Sequence, residues 1–283
     1  MTEANDRPIL KPADFRRLSK FIEDELGIRM PDIKKVMLES RLHKRLRILS
    51  INNYSDYCDF LFSDEGLRKE LPFMIDVVTT NKTDFFREPD HFVYMENDVI
   101  IPLLQKKDIP VHLDLWSSAS STGEEVYTLS MVLNQIRFNN SNFSFTILGS
   151  DISQEVLQKA RRGVYHKSRI DNIPLSQKKM FFLKSRDSNS EDVKVKAFLQ
   201  ENVQFKQLNL MNRDYGINRK FHIIFCRNVL IYFPQEKQKK ILMQLYNHLH
   251  PGGYLFLGHS ETITGLDLPY ISVAPTIYLK PIS

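Results

Sequence analysis

The sequence predicts an α/β protein in two parts: a helical N-terminal region, then an open, mostly parallel sheet covered by helices on both faces. Between about residues 12 and 80 the apolar residues fall at helical spacing, with no strand signal of useful length. From residue 111 onward, short apolar runs alternate with helical stripes, the pattern of a parallel sheet. The alternation is interrupted between residues 164 and 201, which predicts a small inserted β-rich subdomain.

In the helical part (10–80), Phe15, Leu18, Phe21 and Ile22 step by three and four residues, and Gly27 is a helix stop. Ile33, Val36, Met37, Leu38, Leu42, Leu46 and Leu49 form a longer stripe, and 54–62 and 67–78 predict two more helices. Residues 81–110 read as an interdomain linker and helix, and 111–283 as the sheet domain. Its strands are expected at 111–116, 143–151, 203–209, 221–228, 254–260 and 271–279, and its helices at 123–138, 153–162 and 235–250. The connection before the last strand is too short for much of a helix, so that strand is expected to run antiparallel. Within the insert, a helix is expected near 176–182; a polar loop, SRDSNSED, then leads into KVKAFL with strand-like alternation.

Hydrophobic residues are 42% and charged residues 26% of the 283, the balance of a folded globular protein. No apolar run reaches the roughly 18–20 residues a membrane span needs, and the N-terminus has no signal-peptide core, so no membrane insertion is expected. Cys58 and Cys226 are far apart and lack ligand spacing, so neither a disulfide framework nor a metal site is expected, and a reducing cytoplasm is the simplest home. The net charge of +5 is uneven: residues 158–222 hold 15 Lys/Arg against 6 Asp/Glu, and residues 10–50 hold 11 against 6. Such excess suits an acidic partner, although solvated helix and loop faces produce the same pattern.

Ligands of open parallel sheets sit beyond the carboxyl ends of the strands. Three such ends carry suggestive residues. SSASSTGEE (117–125) gives a tight turn before a helix; with Gly123 its only glycine, it lacks a pyrophosphate fingerprint. Glu124 and Glu125 would repel phosphates but suit a cationic cofactor, or simply a helix N-terminus. Asp151 ends the second strand, where an acid can accept both ribose hydroxyls of an adenosine, or cap the next helix. Polar Arg227 and Asn228 follow a buried-looking strand in IIFCRNVLIYF (223–233), and LHPGGYLFLGHSE (249–261) supplies a further turn. This order resembles a class I S-adenosylmethionine-dependent methyltransferase, a Rossmann-like fold.

Five ordered segments make the resemblance specific. TTNKTDFFREPDHF (79–92), SSTGEEVYTLS (120–130), SDISQEVLQKARRGVY (150–165), FCRNVLIYF (225–233) and HPGGYLFLGHSE (250–261) are together similar to the CheR family of chemotaxis receptor methyltransferases. The resemblance spans roughly residues 10–280 and implies an all-helical N-terminal domain, then a methyltransferase domain with an inserted β-subdomain. It implies S-adenosyl-L-methionine as cofactor, S-adenosyl-L-homocysteine as product, and glutamate side chains of methyl-accepting receptors as substrate. Asn81, Thr83 and Arg87, in an interdomain helix, would touch the cofactor. Arg87 would hold its carboxylate or orient the incoming glutamate, unless it makes only a surface ion pair. Glu125 would approach the methionyl ammonium and Asp151 the ribose. Asn209, Leu210, Asn228 and Val229 would frame the adenine and the donor end. Tyr232 closes the reactive pocket on this reading, or is a core tyrosine. Ala119 and Ser120 stand where relatives often have Gly or Cys, and Val126 where Pro is frequent; neither departure removes a ligand.

Glutamate is an anion at neutral pH, its ordinary pKa being about 4.3. Attack on a sulfonium methyl then needs alignment and a dry site rather than a base or metal. The stretch 34–47 has six Lys/Arg and one acid; on a helix, Arg41, Lys44 and Arg45 would present a basic face to an acidic receptor bundle, or a solvated face. The insert at 164–201 resembles the part that in some relatives adds a receptor tail peptide to its sheet edge. A monomer is expected. A nucleic-acid methyltransferase would also explain the basic patches. However, CRNV stands where an exocyclic-amine enzyme carries Asp/Asn-Pro-Pro-Tyr, no Pro-Cys nucleophile motif occurs, and no nucleic-acid partner is expected. The other alternative is a non-catalytic cofactor-binding adaptor.

Overall fold

The computed structural model of the protein describes residues 7–105, 110–187 and 189–282. Residues 1–6 of the N-terminal reading, 106–109 of the predicted linker and Ser188 of the predicted polar loop lie outside them. The chain forms two compact units, Met1–Thr80 with Tyr232–Lys237, and Asn81–Ile231 with Gln238–Ser283.

The first unit is helical: α1 (Pro12–Leu26), α2 (Lys35–Leu49), α3 (Tyr54–Leu61), α4 (Asp64–Lys69) and α5 (Leu71–Val78). Pro12 opens α1 without forfeiting a hydrogen bond, and Gly27 closes it at φ 74° with its N–H on the Glu23 carbonyl. Asn53 and Ser63 cap α3 and α4 by accepting the N–H groups of Asp56 and Gly66. The single helix expected over 67–78 is divided. Ser63 starts a helix three residues earlier than Leu67, and Pro72, lacking an N–H, opens a new one after Glu70. Leu38, Leu42 and Leu46 of the α2 stripe are buried, but Ile33 and Val36 are 88% and 77% exposed and take no part in it.

The basic face expected on α2 is also corrected. Arg45 is buried and donates to both oxygens of Glu70, at 2.9 and 2.5 Å, with Phe73 under its guanidinium at 4.3 Å. Tyr57 donates to the same carboxylate at 3.0 Å. Arg41 spends its guanidinium on the last carbonyls of α5, reaching Val78 at 2.7 Å and Thr79 at 3.1 Å, where the helix dipole favours a cation. Arg45 is thus taken into the interior and half-buried Arg41 is committed to the end of α5, so that of the three residues expected on that face Lys44 alone is exposed.

In the second unit, α6 (Asp90–Tyr94) runs through π-type turns (Met95–Ile100) into α7 (Ile101–Gln105). There follow β1 (Val111–Ser117), α8 (Glu124–Asn139), β2 (Phe143–Asp151), α9 (Gln154–Arg162), β3 (Val164–His166), α10 (Leu175–Phe181), β4 (Phe182–Lys184) and β5 (Asp192–Val195). The chain ends with β6 (Val203–Gln207), β7 (Phe221–Cys226), α11 (Gln235–His248), β8 (Leu249–Leu257), β9 (Ile271–Ala274) and β10 (Ile277–Leu279). The large sheet has the order β6-β2-β1-β7-β8-β10-β9. Its first five strands are parallel, and the last two run antiparallel to their neighbours. Central strands such as β7 are almost wholly buried, as a sheet covered on both faces requires. Phe92, Met95 and Val99 pack with Leu129, Leu133, Phe145 and Phe225 in one cluster of the core.

The segment 271–279 forms two strands rather than one, because the chain turns at Pro275 and Thr276, the latter at φ 58°. The insert is a three-stranded antiparallel sheet, β3-β5-β4. The strand expected across KVKAFL stops at Val195, and Ala197–Leu199 form a helical turn. No helix of the described residues is long and apolar enough to cross a membrane.

The Arg45–Glu70 pair has a measurable weight. Truncating Arg45 to Ala strands a buried carboxylate, and urea denaturation should show a loss of about 3–5 kcal/mol. Replacing both partners by Met and Leu should recover most of that loss.

Candidate functional site

The strand order reverses at β1, which lies between β2 and β7. A crevice for a ligand forms at such a switch point. The carboxyl ends of β1, β2, β6 and β7 deliver Ser117, Asp151, the Asn209–Leu210 turn and the Arg227–Asn228 turn to this edge.

At its centre is Arg227, whose side chain is 2% exposed. Its Nε and Nη2 donate to Glu88 Oε2 at 3.2 and 2.9 Å, and its Nη1 donates to Glu125 Oε2 at 3.2 Å. It also donates to the Arg87 carbonyl. Asn228, held at φ 57°, donates its amide to Glu88 Oε1 at 3.1 Å. Burial alone would push the Glu88 carboxyl up; the Asn228 amide and the Arg227 cation outweigh it and hold it below the usual range. For Glu125 the balance is opposite. Burial raises it, and Arg227 with the Ser117 hydroxyl (2.7 Å) recovers only part.

Glu88 reaches Arg227 through backbone that the sequence misjudged. Residues 81–89 were expected within an interdomain helix; they are irregular, and the helix begins at Asp90. Phe86 and Glu88 sit at φ 53° and 54°, a left-handed conformation that no α-helix continues through. Phe85 instead buries itself against Tyr165 and Phe182 of the insert, with ring centroids at 5.0 and 5.4 Å. The Phe86 N–H is taken by the Thr128 hydroxyl at 3.1 Å.

Around this centre, Asp151 Oδ2 accepts the Ser121 N–H at 2.9 Å and Oδ1 the Ser153 N–H at 3.0 Å. The Asn81 carbonyl accepts from the Ser121 hydroxyl at 3.0 Å. Asn209 Oδ1 accepts the Met211 N–H at 2.9 Å, and the Leu210 carbonyl accepts from buried Tyr215 at 3.0 Å. The Asn228–Leu230 turn is pinned by Glu261. Its two oxygens accept four backbone N–H groups, those of Asn228 (2.8 Å), Gly258 (2.7 Å), Val229 (2.9 Å) and Leu230 (2.7 Å). Beside it, a Cβ at Gly258 would stand 2.5 Å from Asn228 Nδ2, so this turn demands glycine there.

The structure therefore joins Glu125 and Asn228 through the Arg227–Glu88 network, and links Asn81 to Asp151 through Ser121. Arg87 donates to the Lys82 carbonyl at 3.0 Å and is half-buried. Tyr232 closes a short helical turn, Leu230–Tyr232, and its carbonyl accepts the Arg29 N–H at 2.8 Å within the helical unit. Sequence reasoning gave no role to Glu88 or Glu261, although both lie inside the segments that carried the family resemblance. Nothing in a linear pattern shows that one carboxylate will gather four amide groups from two loops.

Glu88, His91 and His259 bring three ligand-type atoms within 4.8 Å of one another. The Glu88 carboxylate is already divided between Arg227 and Asn228, and a metal ion there would face a buried guanidinium. Burial and Arg227 push the His91 imidazole down to about 4, so it is neutral at physiological pH.

The donor set fits S-adenosylmethionine. Carboxylates at the ends of β1 and β2 suit a cationic group and vicinal hydroxyls. Among the described residues the buried Ser120 hydroxyl between them finds no hydrogen-bond partner. A switch-point crevice of this kind, edged by acids in place of a glycine-rich phosphate loop, defines an S-adenosylmethionine-dependent methyltransferase.

Residues 13–79 match the CheR methyltransferase all-alpha domain and residues 81–278 the CheR methyltransferase SAM binding domain. The chain belongs to the CheR methyltransferase family, with S-adenosylmethionine as its cofactor. It is 36% identical over 271 residues to the chemotaxis protein methyltransferase of Borreliella burgdorferi, covering 94% of each chain. It is 35% identical over 280 residues to that of Escherichia coli K12, covering 98% of this chain and 94% of the relative.

Glu261→Ala removes the acceptor of four amide groups. It should cost at least about 2 kcal/mol in chemical denaturation.

Proposed function

We propose that the protein transfers the methyl group of S-adenosylmethionine to glutamate side chains of chemotaxis receptors in the cytoplasm, forming glutamyl methyl esters. The observation that carries this is Glu125, a carboxylate at the sheet's crest whose ionisation burial holds back, in a chain that aligns over nearly its whole length with chemotaxis protein methyltransferases. The cofactor supplies an electrophilic methyl group on a cationic sulfur. Glu125 is proposed to take its ammonium group. Asp151, at the end of β2, is proposed to meet the ribose hydroxyls. Asn209, Leu210, Asn228 and Val229 are proposed to frame the adenine and the donor end, with Asn81 and Thr83 along the cofactor. Arg87 is proposed to hold the cofactor carboxylate or the incoming glutamate. Tyr232, three residues beyond Val229, remains a proposed contact of the reactive end on sequence alone.

For receptor docking, the corrected face of α2 is Val36, Ser40, Lys44 and Arg47, all exposed. They recur at intervals of three or four residues and present two cations to an acidic helical bundle. The insert offers β3 and β4 as edge strands, through which a receptor tail would add by main-chain pairing.

A labelled methyl-donor assay with receptor cytoplasmic fragments and with RNA tests the reading. Base-labile label on receptor is expected; stable label on RNA, or none on either, would sink it. Lys44→Glu with Arg47→Glu should lower methylation of intact receptor while leaving cofactor affinity unchanged. Because Glu125 is raised, it protonates above the usual carboxylate range of about 4.3. Cofactor affinity should therefore fall as pH is lowered into that window, and Glu125→Gln should flatten the dependence, as read by calorimetry.

A further inference from the structure

Arg169 lies in the helical turn Lys167–Ile170 that follows β3 of the insert, far in sequence from every residue assigned above. Its guanidinium grips three groups. Nη1 is 3.1 Å from Asp84 Oδ1, Nη2 is 2.8 Å from Glu124 Oε1, and Nη2 also donates to the Thr83 carbonyl. Glu124, at the start of α8, is 2% exposed and otherwise bonded to the Thr122 hydroxyl at 2.6 Å. One planar cation thus ties the irregular 81–84 stretch to the turn after β1. Its fork of fixed donors makes such a three-way contact stiff, which a lysine point charge would not. The side chain borders an open cleft of about 340 Å³ that it shares with Asn81, Thr83 and Tyr165.

Other contacts hold this stretch as well, among them the Arg87 guanidinium on the Lys82 carbonyl at 3.0 Å. Phe85 anchors its far end in the insert, and the Ser121 hydroxyl holds the Asn81 carbonyl. Between them, the Thr83 carbonyl and the Asp84 side chain are fixed by Arg169.

We propose that Arg169 is a positioning residue for the cofactor: from the insert, it sets the Asn81–Thr83 stretch against the crest of the sheet. The inference rests on the reading that this stretch borders the cofactor. It makes the insert a structural part of cofactor binding as well as a surface for partners.

Calorimetric titration with S-adenosylhomocysteine, paired with thermal melts, tests it in the full chain. Arg169→Ala should weaken binding about tenfold or more, and Arg169→Lys should recover part of the loss. Because Arg169→Ala also strands the buried Glu124 carboxylate, Arg169→Ala with Glu124→Gln is the deciding variant. It should regain the wild-type melting temperature yet keep the weakened binding. If affinity returns together with stability, Arg169 is only the countercharge of Glu124 and the inference is overturned. If Asn81→Ala weakens binding and Arg169→Ala does not, the inference fails while the cofactor reading of the stretch stands. If neither has an effect, both fail.

Discussion

One buried guanidinium organises the crest of the sheet. Arg227 meets Glu88 and Glu125 with side chains that are 12% and 14% exposed. Without a cation between them, two carboxylates so placed would repel strongly enough to force a proton onto one. The surroundings follow from delivering those three groups to one point. The left-handed residues Phe86 and Glu88 bend the chain so that Glu88 arrives from outside the sheet, while Arg227 arrives from the end of β7 and Glu125 from the first turn of α8. Backbone at positive φ costs free energy in a non-glycine residue, and it persists where neighbours over-determine it. Here those neighbours are Phe85 in the insert, Thr128 on the Phe86 amide and Arg227 itself.

Glu261 solves a different problem with the same chemical group. The chain leaving β7 has amide groups at Asn228, Val229 and Leu230 that no strand partner accepts, and it must turn at once to expose Asn228 to the crevice. A carboxylate from the next crossover takes all three, with the Gly258 amide added. Burial still raises this carboxyl, although four amide bonds oppose it. Placing an acid there is costly in isolation; what it secures is a single geometry for the turn.

Much of the fold was legible because two periodicities differ so plainly. Strands β1, β2 and β7 are apolar runs bounded by turn residues, and α8 buries Val126, Leu129, Leu133 and Ile136 at the expected spacing. The three-residue strands β3 and β4 were invisible, since three residues carry no period and the strands exist only through pairing with β5. The 271–279 stretch read as one strand because a Pro-Thr turn inside an apolar run looks like an edge-strand proline. Arg45 misled for a physical reason: a charged residue is assumed exposed until its partner is known, and Glu70 lies 25 residues away. At the site, the acids at strand ends were legible from position alone. The sharing of Arg227 between Glu88 and Glu125 was not, because it depends on a loop whose conformation the sequence was read as helical.

That sharing is unequal, and the inequality has a chemical consequence. Arg227 gives two N–H groups to Glu88 and one, at 3.2 Å, to Glu125. Glu88 gains the Asn228 amide as well, whereas Glu125 has only the Ser117 hydroxyl. Burial holds back the ionisation of Glu125 and the nearby Glu88 carboxylate adds to the rise, while Arg227, the Ser117 hydroxyl and Arg87 offset it only in part. A cationic group placed beside Glu125 would stabilise its ionised form, so binding and deprotonation would favour each other. A neutral group at the same place would gain nothing from this. On the proposed role of Glu125, the crest would favour a cationic group at this carboxylate, through the unequal sharing of Arg227.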